Sequence, residues 1–190
     1  MKRSFNASLK PRDSFSVEAC AGELIRLETE DDLQLLGSGI RFDASRDLLL
    51  GGGSNVLFAA DVEGTVILNR VTGKKVIEET GETALLEASG GENWHQLVLW
   101  SLEQGLSGIE NLSLIPGFVG AAPIQNIGAY GVELADVLDS VEAHDLNTAQ
   151  TRDISRNDCE FAYRNSRFKS KDAGRFLITR IRLRLQRSFK

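Results

Sequence analysis

Apolar positions along the chain come in short blocks. Residues 23–27, 65–68, 84–88 and 137–143 are runs of strand length, bounded by turn signals such as Thr72-Gly73 and Gly81-Glu82. Two briefer runs, 47–50 and 76–77, predict further strands, and residues 176–185 carry the clearest alternation. There Leu177, Thr179, Ile181, Leu183 and Leu185 interleave with Arg180, Arg182 and Arg184, as in a strand with one buried face and an arginine row in solvent. Helical spacing is rarer. Thr29, with Asp32 three residues on, marks a helix start ahead of Leu33, Leu35 and Leu36. Asn93 is a good N-cap for a helix whose face holds Trp94, Leu97, Val98, Ser101 and Leu102 and which Gly105 closes. Pro116-Gly117 opens a short helical stretch over 118–124. Many short strands, few helices and no steady strand–helix alternation predict an α+β fold rather than a doubly wound sheet. Element content puts a division near 71–75, giving subdomains 1–72 and 73–190.

Composition narrows the class. With 190 residues, 42% of them hydrophobic, the chain can bury its own core, which argues against disorder. No apolar run approaches the roughly 18 residues of a membrane span, and Met1-Lys2-Arg3 leads into Ser4-Phe5-Asn6 rather than an apolar signal core. A soluble cytoplasmic protein is expected. Cys20 and Cys159 form no C-x-x-C pair, so neither a metal site nor a disulfide framework is expected. The net charge of -5 hides a division: residues 152–190 hold 12 of the 22 basic side chains but only 4 of the 27 acidic ones. A basic quarter suits nucleic acid, a phosphorylated small molecule or another part of the same protein. No nucleic-acid-binding motif accompanies it, so nucleic acid is not expected as a partner.

Three segments could carry chemistry. Leu50-Gly51-Gly52-Gly53-Ser54-Asn55-Val56 follows a predicted strand, and three glycines let backbone N–H groups crowd around an anion such as a pyrophosphate. A flexible hairpin turn would look the same. The dinucleotide fingerprint of Rossmann folds fails, because Val56 stands at its third glycine position and no helix follows. Residues 114–131 hold two prolines, four glycines and three alanines with almost no charge, as where backbone passes close to something large and flat. A tight helix contact is the alternative. In Tyr163-Arg164-Asn165-Ser166-Arg167-Phe168-Lys169, Arg164 beside an aromatic could clamp a carboxylate or stabilise a developing enolate; it could equally be a surface arginine.

Taken together, and with Gly90-Gly91-Glu92-Asn93-Trp94-His95 and Gly108-Ile109-Glu110-Asn111-Leu112, these segments resemble the bacterial UDP-N-acetylenolpyruvoylglucosamine reductases. The resemblance runs from about Ser8 to the end of the chain. It implies a vanillyl-alcohol-oxidase-type (PCMH-type) FAD-binding fold of two small α+β subdomains. It also implies an NADPH-dependent reduction of UDP-N-acetylglucosamine enolpyruvate to UDP-N-acetylmuramate in peptidoglycan synthesis. By the same resemblance, FAD lies against Gly51, Gly52, Gly53, Ser54, Asn55, Val56 and Leu57, against Ile115, Pro116, Gly117, Gly120, Ala121, Ala122 and Pro123, and against Gly128, Ala129, Tyr130 and Ile178. Arg164 holds the substrate carboxylate and stabilises the enol-like intermediate, with Tyr163 supporting the site. The family's proton-donating serine and assisting glutamate belong to a C-terminal substrate-binding region beyond the strand ending near Leu185, which is expected to be absent here and to associate with this part. Ser166 and Glu160 do not occupy the matching motif. A fragment without full activity is therefore expected, the alternative being a flavin- or partner-binding module with no reductase chemistry. Other oxidases of this fold tether flavin through His or Cys. His95 and His144 read as structural or surface residues, so the flavin is expected to be held non-covalently. Glu92 reads as a helix-start carboxylate and Glu110 as a loop acceptor.

Overall fold

The computed structural model describes residues 1–36, 40 and 42–187. Apolar blocks in the first third become β2 (Cys20–Leu27), β3 (Leu48–Leu50) and β4 (Val62–Asn69), which with the polar β1 (Lys2–Ser8) form a sheet of order β1-β2-β4-β3. β1 runs antiparallel to β2, whereas β2, β4 and β3 are mutually parallel. Their carboxyl ends therefore share one edge, and β3 runs straight into Gly51. That edge is where parallel strands leave room for a ligand.

Further strands follow as β5 (Lys74–Glu79), β6 (Thr83–Ser89), the two-residue pair β7 (Gly128–Ala129) and β8 (Val132–Glu133), then β9 (Leu138–Asp145), β10 (Gln150–Ser155) and β11 (Phe176–Gln186). All but the β7–β8 ribbon join a second, antiparallel sheet of order β10-β9-β11-β6-β5. The sequence reading missed β1 and β10, both of which lie at sheet edges and are mostly exposed.

The helices start where the caps predict. Helix α1 (Glu30–Gln34) opens on a capping box in which Thr29 Oγ1 accepts from the Asp32 N–H at 3.2 Å and Asp32 accepts from the Thr29 N–H at 3.1 Å. Helix α2 (Trp94–Glu103) begins at Asn93, whose side chain accepts from the Gln96 N–H at 3.0 Å. It buries Trp94, Leu97 and Val98 with Leu86, Val141 and Ile181 of the second sheet. The helical stretch expected over 118–124 is a 3-10 helix, Val119–Gln125, with Phe118 as its N-cap. Pro123 inside it offers no N–H to an α-helical ladder.

The arginine row of β11 is not simply solvated. Arg180 pairs with Glu142 and Glu30, Arg182 with Glu87 and Asp153, and Arg184 with Glu78 and Asp139, all within 2.6–3.4 Å. Adjacent strands supply carboxylates opposite each arginine, so the row becomes a cross-strand charge lattice.

The two sheets meet at β11. Leu177 joins Ile25, Leu27, Ile67 and Val71 in one buried cluster. Close by, the Asn69 side-chain amide donates to the Ile178 carbonyl at 3.3 Å, and the Gly90 N–H donates to the Thr179 carbonyl at 2.6 Å.

Candidate functional site

The glycine loop after β3 forms one wall of a cleft, and residues 115–125 form the other. A cavity of about 230 Å³ lies between them, lined by Gly51–Val56 on one side and by Ile115, Pro116, Gly117, Phe118 and Ala121 on the other. A second cavity of about 350 Å³ adjoins it along Leu49, Leu50, Gly51, Phe118, Ala121 and Ile124, and continues to Gly120, Leu177 and Ile178. Both are within or near the size range of small-molecule sites, and both have mainly apolar linings.

Small residues are required where the walls approach. A Cβ on Gly51 would stand 3.0 Å from the Ala121 Cβ, and one on Gly52 would stand 3.0 Å from the Gly117 Cα. Gly53 has φ +74°, and a Cβ there would overlap the Arg12 carbonyl at 1.5 Å. At the junction of the sheets, Gly90 and Gly120 pack on one another and on the Ile178 carbonyl, with the Gly120 N–H donating to the Gly90 carbonyl at 2.9 Å. Two hydrogen bonds bridge the walls: Ser54 Oγ donates to the Pro116 carbonyl at 3.3 Å, and the Asn55 amide donates to Gln125 Oε1 at 3.1 Å.

Arg70 packs on one cleft wall, its guanidinium stacked 3.9 Å over the ring of the lining residue Phe118. Nη1 is buried and has no hydrogen-bond partner among the described residues. Burial, reinforced by the charges of Arg12 and Arg26, lowers its pKa. The wall that carries Phe118 thus has positive charge against it, a setting that favours an anion nearby.

Arg164 lies outside both cavities, on the turn 162–165. Reciprocal hydrogen bonds between Ala162 and Asn165 close that turn at 3.1 and 3.0 Å. Arg164 itself has φ +52°, a left-handed conformation rarely held by long side chains. Its guanidinium is exposed and lies 6.0 Å from the Tyr163 ring. Three side chains fasten the turn to the cleft wall. The Asn126 amide donates to the Ala162 carbonyl at 3.3 Å, Ser166 Oγ to the Ile124 carbonyl at 2.7 Å, and Lys169 Nζ to the Arg164 carbonyl at 3.0 Å. Asn126 is fully buried at φ +46° and also bonds Glu133 and the Ala135 N–H.

The structure gathers Gly51–Val56, Ile115–Gly117, Gly120–Ala122 and Ile178 around the two cavities. It leaves Leu57, Pro123, Gly128, Ala129, Tyr130 and Tyr163 off their linings. Leu57, Tyr130 and Tyr163 are exposed, at 64%, 88% and 82%. Sequence reasoning overlooked Trp94, Phe118, Gln125 and Lys169 as lining residues. Trp94 is both core and lining, and nothing in the sequence around Phe118, Gln125 or Lys169 distinguishes them from their neighbours.

The other singled-out residues have structural partners. His95 Nδ1 lies 3.0 Å from Ser113 Oγ, and His144 Nδ1 lies 3.0 Å from Thr151 Oγ1. Glu110 accepts from the Gly108 N–H at 2.5 Å, as a loop acceptor should. Glu92 differs from its expected role: it accepts from the Gly73 N–H at 2.8 Å and pairs with Lys74 at 3.0 Å, so it fastens the entry of β5 rather than the start of α2. Burial pushes the Cys159 thiol up to about 12, which makes it a core residue rather than a nucleophile.

A family described as "FAD binding domain" matches residues 24–154. Among curated relatives, the UDP-N-acetylenolpyruvoylglucosamine reductase of Pseudomonas fluorescens is 45% identical over 96% of this chain, which covers 53% of that relative. The reductase of Vibrio parahaemolyticus is 48% identical over 95% of the chain, covering 52% of the relative. The chain thus spans about half the length of the curated relatives it matches. Among solved structures, the UDP-N-acetylenolpyruvylglucosamine reductase of Thermus caldophilus superposes with a TM-score of 0.69 at 28% identity, over 97% of this chain and 61% of that one. A solvent-stable cholesterol oxidase shares the fold alone, with a TM-score of 0.58 at 16% identity over 88% of this chain and 35% of that one.

Proposed function

This chain belongs to the FAD-binding domain family, and from that premise we propose that it is the flavin-binding part of a UDP-N-acetylenolpyruvoylglucosamine reductase. The parent enzyme would use NADPH to convert UDP-N-acetylglucosamine enolpyruvate to UDP-N-acetylmuramate for the cell wall, in the cytoplasm. The observation that carries the reading is the cleft whose two walls admit no Cβ at Gly51 or Gly52 without contact, set among segments shared with those reductases.

The residues present fit FAD. Gly51–Asn55 offer backbone N–H groups and positive φ at Gly53 for a pyrophosphate. Ile115–Gly117 and Gly120–Ala122 give a flat, small-residue wall for the rest of the cofactor, which is held without a covalent tether. Bound FAD supplies the capacity to accept and give a hydride. Arg164 presents a fixed fork of donors to the substrate carboxylate and stabilises negative charge that develops on the substrate as its double bond is reduced. The anchored turn fixes the backbone from which that fork extends. Proton delivery needs a group from elsewhere. Ser166 Oγ is committed to the Ile124 carbonyl, and Glu160 is paired with Lys171.

Purified chain should carry a yellow flavin spectrum or take up added FAD. With NADPH and the enolpyruvyl substrate it should give no steady turnover, and adding the remaining half of a homologous reductase, expressed separately, should restore it. A colourless chain indifferent to FAD would refute the proposal. The rival reading, a flavin- or partner-binding module, draws on the exposed Leu114, Tyr130 and Tyr163, and it is favoured if the chain binds flavin but no second half restores turnover.

A further inference from the structure

Among the described residues lining the cavity beside the glycine loop, Lys169 is the one charged side chain; its polar neighbours there, Ser54, Asn55 and Gln125, are neutral. Its root is fixed. Ser166 is buried and bonded to Ile124, the Phe168 N–H donates to Ser166 Oγ at 3.2 Å, and the buried Phe168 ring meets Phe176 edge-on at 6.0 Å. Among the described residues, the ammonium at the end of that stem is bonded to the Arg164 carbonyl alone, which uses one of its three donors.

Charge pairing elsewhere makes this lysine stand apart. Lys2 pairs with Glu28, Lys10 with Glu18, Lys74 with Glu92, Lys75 with Glu87 and Lys171 with Glu160. In a chain with 27 acidic residues, Lys169 is the one described lysine without a carboxylate partner, and it stands at the cavity. Across that cavity lie the backbone N–H groups of the glycine loop, which suit an anion but carry no net charge.

We propose that Lys169 is a phosphate-binding residue, supplying the positive charge that meets the diphosphate of the dinucleotide bound against the glycine loop. A compact ammonium on a flexible stem suits a phosphate oxygen, whereas a neutral flavin ring offers it little. This rests on the FAD reading above, and the two fail separately.

The test is a fluorescence titration of the purified chain and its Lys169→Met, Lys169→Gln and Lys169→Arg variants with FAD and with riboflavin, which lacks phosphate, at low and high salt. Circular dichroism checks that each variant is folded; the exposed position of Lys169 leaves the core untouched. Losing one charge-assisted contact should weaken FAD binding by at least roughly tenfold in the Met and Gln variants. Riboflavin binding should be unchanged, Lys169→Arg should keep most of the FAD affinity, and the salt dependence for FAD should flatten without the charge. Equal FAD affinity in wild type and Lys169→Met overturns the proposal while leaving the FAD reading intact. Equal loss for FAD and riboflavin also overturns it, because the lysine would then act on the ring or only on the Arg164 turn. A wild-type chain that binds neither flavin overturns the FAD reading itself.

Discussion

Gly53 and Gly105 have almost the same backbone angle, φ +74° and +73°, but different surroundings. A Cβ on Gly53 would overlap the Arg12 carbonyl at 1.5 Å, whereas one on Gly105 would meet nothing within 4 Å. Gly105→Ala should therefore cost only the left-handed strain of an L-residue, about 1–2 kcal/mol. Gly53→Ala adds a backbone clash that no side-chain rotation relieves, and should cost more than about 4 kcal/mol or prevent folding. Urea denaturation of the two variants decides the point, and equal losses would mean that the glycine loop lifts freely off Arg12. The triple glycine was legible in the sequence as an anion-binding loop or a turn. That its third glycine is pinned by Arg12 was not, because the contact is long-range and Arg12 contributes only its backbone. Lys169 was hidden differently: one lysine after a phenylalanine looks like any surface lysine until the partners of the others are known.

At the scale of elements, strands with apolar periodicity were legible and edge strands were not. β1 and β10 carry sequences such as Lys2-Arg3-Ser4 and Gln150-Thr151-Arg152, whose pairing is held by backbone bonds and charge rather than burial. One such charge cluster makes a pH-dependent brace. Asp145 ends β9 with no exposed side-chain surface, accepting from Arg175 Nη2 at 2.7 Å, Arg152 Nη2 at 3.1 Å and the Asn147 N–H at 3.0 Å. Burial pushes its carboxyl up, but the bonds from Arg175 and the Asn147 N–H outweigh it, and the pKa is lowered. The ionised form is thus favoured by folding, so the brace is fully present above the unfolded value of about 4 and is lost as pH falls through the lower folded value. Asp145→Asn should be less stable than wild type by about 2 kcal/mol at pH 7. The gap should narrow below about pH 4, as protonation takes the same brace from wild type. Urea midpoints from pH 7 to pH 3 follow the gap, and a constant difference would show that ionisation of Asp145 does not contribute.

For the whole molecule, the question is whether two sheets around a cleft unfold as one body. Sequence could suggest a division near 71–75 from element content, but not the joint, which is made by a residue far beyond it. Leu177 sits on β11 of the second sheet yet packs with Ile25, Leu27, Ile67 and Val71 of the first, and it also lines the larger cavity. Both tryptophans, Trp94 and Trp100, lie on α2 beside the second sheet, so fluorescence reports that half while far-UV circular dichroism reports both. In wild type the shared core should make the two denaturation curves coincide. Leu177→Ala removes buried volume at the joint and should cost about 2–5 kcal/mol. Because that loss falls on the first sheet's core, the circular-dichroism midpoint should drop further than the fluorescence midpoint, leaving α2 and its sheet folded after the first sheet has opened. With FAD seated between the walls as proposed above, the two curves should come back together, since a ligand that needs both walls stabilises only the joined state. Curves that stay coincident in Leu177→Ala would place the coupling in the hydrogen bonds at Asn69 and Gly90 rather than in the apolar joint.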